Sequence, residues 1–358
     1  MREGWEYKKF ENCIVKSPKL KQVKKEAYNN GSQYPIISQE EKFISGYCDD
    51  ESMVCHIDRP IVVFGDHTRV LKYIDFDFVV GADGVKVIIP IKSIDSKFLL
   101  YFLQWYNIPN LGYSRHYKLL KDVMVPIPNC TTQQTIISEL DKLNELIQIK
   151  KEQLKAYDAL AQSIFYEMFG DPVENEKGWE VKKLGEVSIY PKERVAINQI
   201  CSSQYVGVEN LIKDRGGVCF SDNLPKADVA IAYKENDILL GNIRPYLKKI
   251  WLADKVGGAS GDVVIIRIKE RSISPLFLFK LLSSDQFFEY DNTHTKGAKM
   301  PRGDRKAIEK FGVILPPLSL QQSFAQKIEQ IEQQKAAIQK TITDLETLLA
   351  ARMQYWFD

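Results

Sequence analysis

The chain is written nearly twice. Gly4-Trp5-Glu6 returns as Gly178-Trp179-Glu180, and each copy continues into a hydrophobic residue, two lysines and a second hydrophobic residue (Tyr7-Lys8-Lys9-Phe10; Val181-Lys182-Lys183-Leu184). Gly65-Asp66-His67-Thr68, closing an apolar run, answers to Gly241-Asn242-Ile243-Arg244, and Gly81-Ala82-Asp83-Gly84 answers to Gly258-Ala259-Ser260-Gly261. Gln133-Gln134 answers to Gln321-Gln322. The separation grows from 174 residues (Trp5 to Trp179) to 188 (Gln133 to Gln321), always in order, with most of the added length after Leu282. A repeat with a period near half of 358 residues specifies two similar domains and an internal pseudo-two-fold. Its natural partner is itself two-fold or bipartite.

Totals narrow the class. At this length two or three domains with real cores are possible. A formal charge of +2 argues neither for nor against nucleic acid, so local clusters must decide. The six cysteines show no CxxC spacing, which suggests neither a zinc site nor a disulfide framework and fits a reducing compartment. Met1 to Gly4 lead straight into the first repeat and no apolar run approaches the ~18 residues of a membrane span. A cytoplasmic protein with no membrane role is expected.

Each repeat divides into a mixed α/β part and a long helix. Short strand-like runs such as Ile61-Val62-Val63-Phe64 are punctuated by Gly, Asp and Pro, and Lys97 to Tyr106 and Ser274 to Leu282 read as helices. Beyond Pro128 the pattern changes. Positions 136, 140, 143, 147, 150, 154, 157, 161, 164 and 168 step alternately by four and three, and 188 residues later 324, 328, 331, 335, 338, 342, 345, 349, 352 and 356 do the same. Neither stretch holds Gly or Pro, so each can run as a helix of ~36 residues, ~54 Å. Helices with one apolar stripe need a partner. That partner is either the same helix of a second copy or, as expected here, the other helix of the same chain, antiparallel. The seam is expected to use Leu140, Leu143, Ile147, Leu154, Ile328, Ile331, Ile338, Ile342 and Leu345, with Lys150, Lys335 and Arg352 fixing register. The fold class is therefore α+β: two similar α/β domains joined by two long antiparallel coiled-coil helices. The expected segments are a first domain over 1–131, a helix over 132–170, a linker and second domain over 171–318, and a helix over 319–358.

No catalytic constellation is legible. There is no GxxxxGK[ST] phosphate loop, no Gly-x-Ser-x-Gly elbow and no Asn-Pro-Pro-Tyr-type methyltransferase motif. The four histidines fall singly, and no metal ligand set has workable spacing. Polar and basic chemistry on tight turns stands out instead. Asp66, His67, Thr68 and Arg69, with Lys72, follow one strand; Asn242, Arg244, Tyr246 and Lys248 follow its counterpart. Asn, His and Arg read base edges, whereas Lys and Thr suit phosphates. Asp66 and Asn242 have an equally good alternative role, hydrogen-bonding the turn backbone. A second cluster precedes each long helix: Arg115, His116 and Lys118 in the first repeat, and Lys296, Lys299, Arg302 and Arg305 in the second. The latter falls in the added length, where two readers of different sequences would be expected to differ.

These motifs resemble the specificity subunits of type I restriction-modification systems. The resemblance rests on Phe64 to Arg69 with Phe78 to Gly84, on Asp237 to Leu247 with Gly257 to Asp262, and on the closing phrases Pro126-Ile127-Pro128 to Gln134 and Leu315-Pro316-Pro317 to Gln322. It spans essentially the whole chain. It implies two target-recognition domains, each reading half of a bipartite asymmetric sequence in double-stranded DNA, with the long helices as spacer. It implies two docked adenine methyltransferase (modification) subunits, joined by restriction translocase-nuclease subunits. S-adenosylmethionine, ATP and Mg would be used only by those partners, and this chain would itself be non-catalytic. Two other readings fit the repeat: a coiled-coil scaffold with no DNA role, and the specificity module of a type II-like restriction enzyme.

Overall fold

The computed structural model describes every residue except 1, 17–19, 32, 113 and 298. The chain divides into two compact units, one made of Met1–Gln153 with Ile338–Asp358 and the other of Leu154–Ala337. This division differs from the expected segments, because it cuts through both long helices instead of setting them apart from the domains.

Within the first unit, the strand Glu6–Lys9 pairs antiparallel with Met124–Ile127, so the start of the repeat is tied to its closing phrase. A four-stranded antiparallel sheet follows the order Ile14–Val15, Val85–Pro90, Ile61–Gly65, Leu71–Ile74. Its central strand is buried at every position because both faces are covered. Val62 and Phe64 pack on Phe98, Leu99 and Phe102 of the helix Ser96–Tyr106. Ile61 and Val63, pointing the opposite way, pack on Ile37, Phe78 and Val80 of a second sheet. That sheet runs Gln22–Val23, Phe78–Gly81, Tyr34–Ile37, Gly46–Cys48, with Val54–Cys55 also on Phe78–Gly81. Asp95 caps the helix by accepting from the Lys97 amide at 2.7 Å, and Asn107, at φ 41°, ends it in the left-handed conformation.

The second unit repeats these pairings. Glu180–Lys183 lies antiparallel to Gly312–Leu315, and a four-stranded sheet runs Ser188–Ile189, Val263–Ile268, Ile238–Gly241, Ile250–Leu252. Ile238 and Leu240 face the helix Pro275–Leu282, while Leu239 faces a second core with Tyr233, Trp251 and Ala259. The outer sheets diverge: here Arg194–Ala196, Val229–Tyr233, Gly257–Ala259 and Tyr205–Val206 form four strands. The length added after Leu282 holds the helix Asp285–Thr293, for which the sequence reading gave no element.

The long helices span Cys130–Phe169 and Leu318–Phe357, 40 residues each, so they begin and end one or two residues from the expected limits. Asn129 starts the first by accepting from the Thr132 amide at 2.8 Å. Gly170, at φ 75°, ends it, and Trp179 Nε1 donates to the Phe169 carbonyl at 2.8 Å. In each unit the two helices run side by side in opposite directions. Glu139 meets Arg352 and Lys151 meets Glu346 in the first; Asp158 meets Lys335 and Phe165 packs on Phe324 in the second. Leu140, Ile147, Ile328, Ile331, Ile338 and Ile342 are buried, and Leu143, Leu154 and Leu345 are half-buried. The polar members of the stripe are all hydrogen-bonded: Lys335 to Asp158 at 2.7 Å, Arg352 Nη2 to Glu139 at 3.0 Å, and Lys150 to Gln153 at 3.1 Å.

Candidate nucleic-acid interface

In each unit the turn after the central strand is held against the segment preceding the short helix that leads into the closing strand. In the first unit the Asp66 amide donates to the Gly84 carbonyl at 2.6 Å and the Asp66 carbonyl accepts from the His116 amide at 2.9 Å. In the second, the Asn242 amide donates to Asp262 at 2.9 Å and the Asn242 carbonyl accepts from Gly303 at 3.1 Å. The backbone frame is shared, whereas the side chains on it are not.

The first turn is closed by its own residues. Asp66 is buried, and its carboxylate accepts from the Tyr117 amide at 2.8 Å. His116 is fully buried: Nδ1 lies 2.9 Å from the Asp66 carbonyl and Nε2 accepts from the Leu111 amide at 3.0 Å. One nitrogen must donate and the other accept, so this imidazole is neutral and structural. Lys72 is also buried, and its ammonium is ringed by the carbonyls of Ser38, Lys42 and Phe43 at 2.9, 2.6 and 3.3 Å. Burial holds its pKa below the usual lysine range. Asp66, Lys72 and His116 thus build the turn and do not line its outer surface. Arg69, at φ 62°, donates to the Ile108 carbonyl at 2.9 Å and binds the turn to the loop after Tyr106. Thr68 Oγ1 donates to the Gln39 carbonyl at 2.6 Å, and the His67 amide donates to Gln39 Oε1 at 3.1 Å, which makes Gln39 a member of the turn that no motif announced. Arg115 and Lys118 are exposed.

The second turn carries more exposed cations. Arg244, Tyr246, Lys296, Lys299 and Arg302 are exposed, and Arg305 is half-buried. The Arg244 amide donates to the Pro301 carbonyl at 2.8 Å, which brings the turn and the basic segment together. The segment that holds Lys296 to Arg305 includes Ala298, which lies outside the described residues. Several of its cations are paired with acids that sequence reasoning missed: Lys296 with Asp304 at 2.6 Å and Arg302 with Asp262 at 3.2 Å. Lys248 pairs with Asp285 at 2.5 Å, and Arg215 binds the same carboxylate. Exposed pairs of this kind hold by little, roughly 0–1 kcal/mol, so DNA phosphates can take the acids' places.

Behind the second turn lies a polar group of another kind. Asp291, 1% exposed, and Asn242, 9% exposed, place Asp291 Oδ1, Asp291 Oδ2 and Asn242 Oδ1 out of reach of any hydrogen-bond donor among the described residues. Burial pushes the Asp291 carboxyl up to about 6, opposed by His294. The folded chain therefore binds this proton more tightly than the unfolded chain. The stability it contributes is complete below the ordinary carboxylate range near 4 and is lost as pH rises through about 6. Asp291→Asn removes the titration. In denaturant unfolding from pH 4 to 8, the variant is expected to gain on the parent by about 3 kcal/mol as pH rises. A pH-independent difference would contradict this assignment.

Residues 2–156 match the family model of the type I restriction modification DNA specificity domain. The MjaIX type I restriction enzyme specificity subunit of Methanocaldococcus jannaschii is 25% identical over 304 residues, 74% of this chain and 69% of that protein. The EcoDI specificity subunit of Escherichia coli is 27% identical over 107 residues, 30% of this chain and 23% of its own length. Among solved structures, a type I restriction-modification S subunit from M. genitalium shares the fold at TM-score 0.56 and 13% identity, covering 99% of this chain and 96% of that one. A chain from a study of complex assembly and conformational transition in the type I R-M system gives TM-score 0.56 and 13% identity, with coverage of 99% and 98%. No helix among the described residues is long and apolar enough to cross a membrane. Residues 2–156 thus match the type I restriction modification DNA specificity domain, and three quarters of the chain is similar to a type I restriction enzyme specificity subunit.

Proposed function

We propose that the chain reads a bipartite asymmetric sequence in double-stranded DNA, one half per unit, and docks two adenine methyltransferase subunits that methylate it. Translocase-nuclease subunits join through these when the complex restricts. S-adenosylmethionine, ATP and Mg belong to those partners, because methylation of a base requires a flipped nucleotide in a catalytic pocket, and specificity requires only side chains in a groove. The observation that carries this reading is the turn built twice on one backbone frame, with Arg115 and Lys118 exposed beside the first and Arg244, Tyr246, Lys296 and Arg302 exposed beside the second. Equal scaffolds with unequal side chains are what two different half-sequences demand.

The long helices are the ruler in this reading. Seven residues inserted after Gln153 and seven after Ala337, where the two units divide, preserve the heptad and add ~10 Å to each helix. With one DNA turn of ~34–36 Å per 10–10.5 base pairs, the unspecified gap between the half-sequences is expected to lengthen by about three base pairs. Methylome sequencing of cells carrying the variant with its methyltransferase reads the result directly. Altered half-sequences with an unchanged gap would defeat the ruler, and absence of any sequence-specific methylation by the parent complex would defeat the reading itself.

A further inference from the structure

The two turns differ most at one point. In the first unit the position beside the turn is His116, whose imidazole fills the space and meets the chain with both nitrogens. In the second it is Gly303, where a Cβ would lie 2.6 Å from Asp291 Oδ1 and 3.0 Å from Asn242 Oδ1. A side chain there would press on Asp291, which stands on the added helix Asp285–Thr293, and on Asn242. The replacement is chemically lopsided. An imidazole that both donates and accepts has given way to a carboxylate and a carboxamide whose oxygens, Asp291 Oδ1, Asp291 Oδ2 and Asn242 Oδ1, have no hydrogen-bond partner among the described residues. A buried acceptor without a donor costs on folding, and a donor from outside the chain removes that cost.

Asn242 also lines a surface groove of about 560 Å³ bordered by Lys296, Met300, Arg302 and Arg305. Gly303 lines the groove too, and the segment Met300–Gly303 is held by backbone bonds to Asn242 and Arg244 and by the exposed ion pair of Arg302 with Asp262. Cations on the lining, with Asn242 among them and Asp291 behind Gly303, are the arrangement that meets a phosphate backbone outside and a base-edge donor inside. We propose that Asn242 and Asp291 form an acceptor subsite for the exocyclic amino group of an adenine or cytosine in the half-sequence read by the second unit. Phosphates compete for the rim cations, the Met300–Gly303 segment shifts, and the amino group supplies the missing donor. This rests on the DNA-reading function proposed above.

Asp291→Asn tests it, because the new carboxamide carries the donor that the site lacks and completes it without DNA. In the complex with its methyltransferase subunits, the variant is expected to lose about ten- to hundred-fold of discrimination at one base pair of one half-sequence, leaving the other half intact. Duplexes carrying purine for adenine, or 2-pyrimidinone for cytosine, at that pair should bind the parent complex about as weakly as a mismatch and bind the variant no worse than the natural base. Asn242→Ala should relax the same pair. A parent complex that reads its sequence and an Asp291→Asn complex that reads it equally well at every position would overturn the subsite while leaving the DNA-reading function standing. A parent complex with no sequence preference would remove both.

Discussion

Phe169→Ala is expected to lower the folding free energy by about 3–5 kcal/mol, the cost of deleting a ring from a core that cannot collapse around the void. Phe169 is fully buried at the last turn of the first long helix, with ring centroids 5.1 Å from Phe165, 4.8 Å from Phe277 and 5.2 Å from Phe324. These four rings come from both long helices and from Pro275–Leu282, so one deletion loosens three elements of the second unit at once. Urea unfolding of the full chain measures it. Leu160→Ala on the same helix, at a site 46% exposed, serves as the comparison and should cost under about 0.5 kcal/mol. Equal costs at the two positions would show that the aromatic cluster contributes nothing beyond helix propensity.

Gln321→Leu is expected to cost about as much, by a different route. Gln321 is fully buried; its Oε1 accepts from the Ser274 amide at 2.8 Å, and its Nε2 donates to the Ser272 carbonyl at 2.9 Å and the Pro316 carbonyl at 2.8 Å. Leucine preserves the volume but strands one amide and two carbonyls, each worth about 1–3 kcal/mol when buried without a partner, for a loss of roughly 3–5 kcal/mol after relaxation. Gln133 repeats the arrangement in the first unit, with the Asp95 amide at 2.8 Å and the Ser93 and Pro128 carbonyls at 2.9 Å each. Gln133→Leu and Gln321→Leu should therefore destabilise to similar degrees, whereas Gln322→Leu, exposed beside the buried glutamine, should be nearly silent. A large effect at Gln322 with none at Gln321 would refute the clamp.

Much of this was legible before any coordinates. The 3–4 spacing placed the apolar stripe on positions that are all buried or half-buried, from Ile136 to Met168 and from Phe324 to Trp356, but it passed over Phe165, Phe169 and Phe357, which are more buried than the stripe members beside them. The repeated Gln-Gln was visible as a motif but not as a clamp, since its three partners lie five to 49 residues away. The turns lie at the ends of strands as expected, and Asp66 takes the backbone-bonding role that the sequence offered it, but the burial of Lys72 and His116 was not legible. Lys72 and His116 read as DNA contacts because cations and imidazoles suit DNA, yet the folding of Ser38–Phe43 and of Leu111 around them consumes their hydrogen-bonding capacity. Asp291 gave no signal, because an aspartate in a polar helix looks solvated until the segment at Gly303 that lies against it is known. Only the growth in offset after Leu282 pointed to its neighbourhood.

The division of the chain has a consequence for its biosynthesis. The second unit is one uninterrupted stretch, Leu154–Ala337, whereas the first needs Ile338–Asp358 to be complete. Phe98, Phe102 and Trp105 pack directly on Phe357, with centroids 5.6, 5.7 and 5.9 Å apart. At ~5–20 residues per second, roughly 10–40 s pass on the ribosome between the making of Gln153 and of Ile338. Through that interval the unit translated first waits with an uncovered aromatic face, while the unit translated second already has all its parts. Maturation therefore runs against the direction of synthesis, and the nascent amino-terminal unit is the stage at which a chaperone has the most apolar surface to hold.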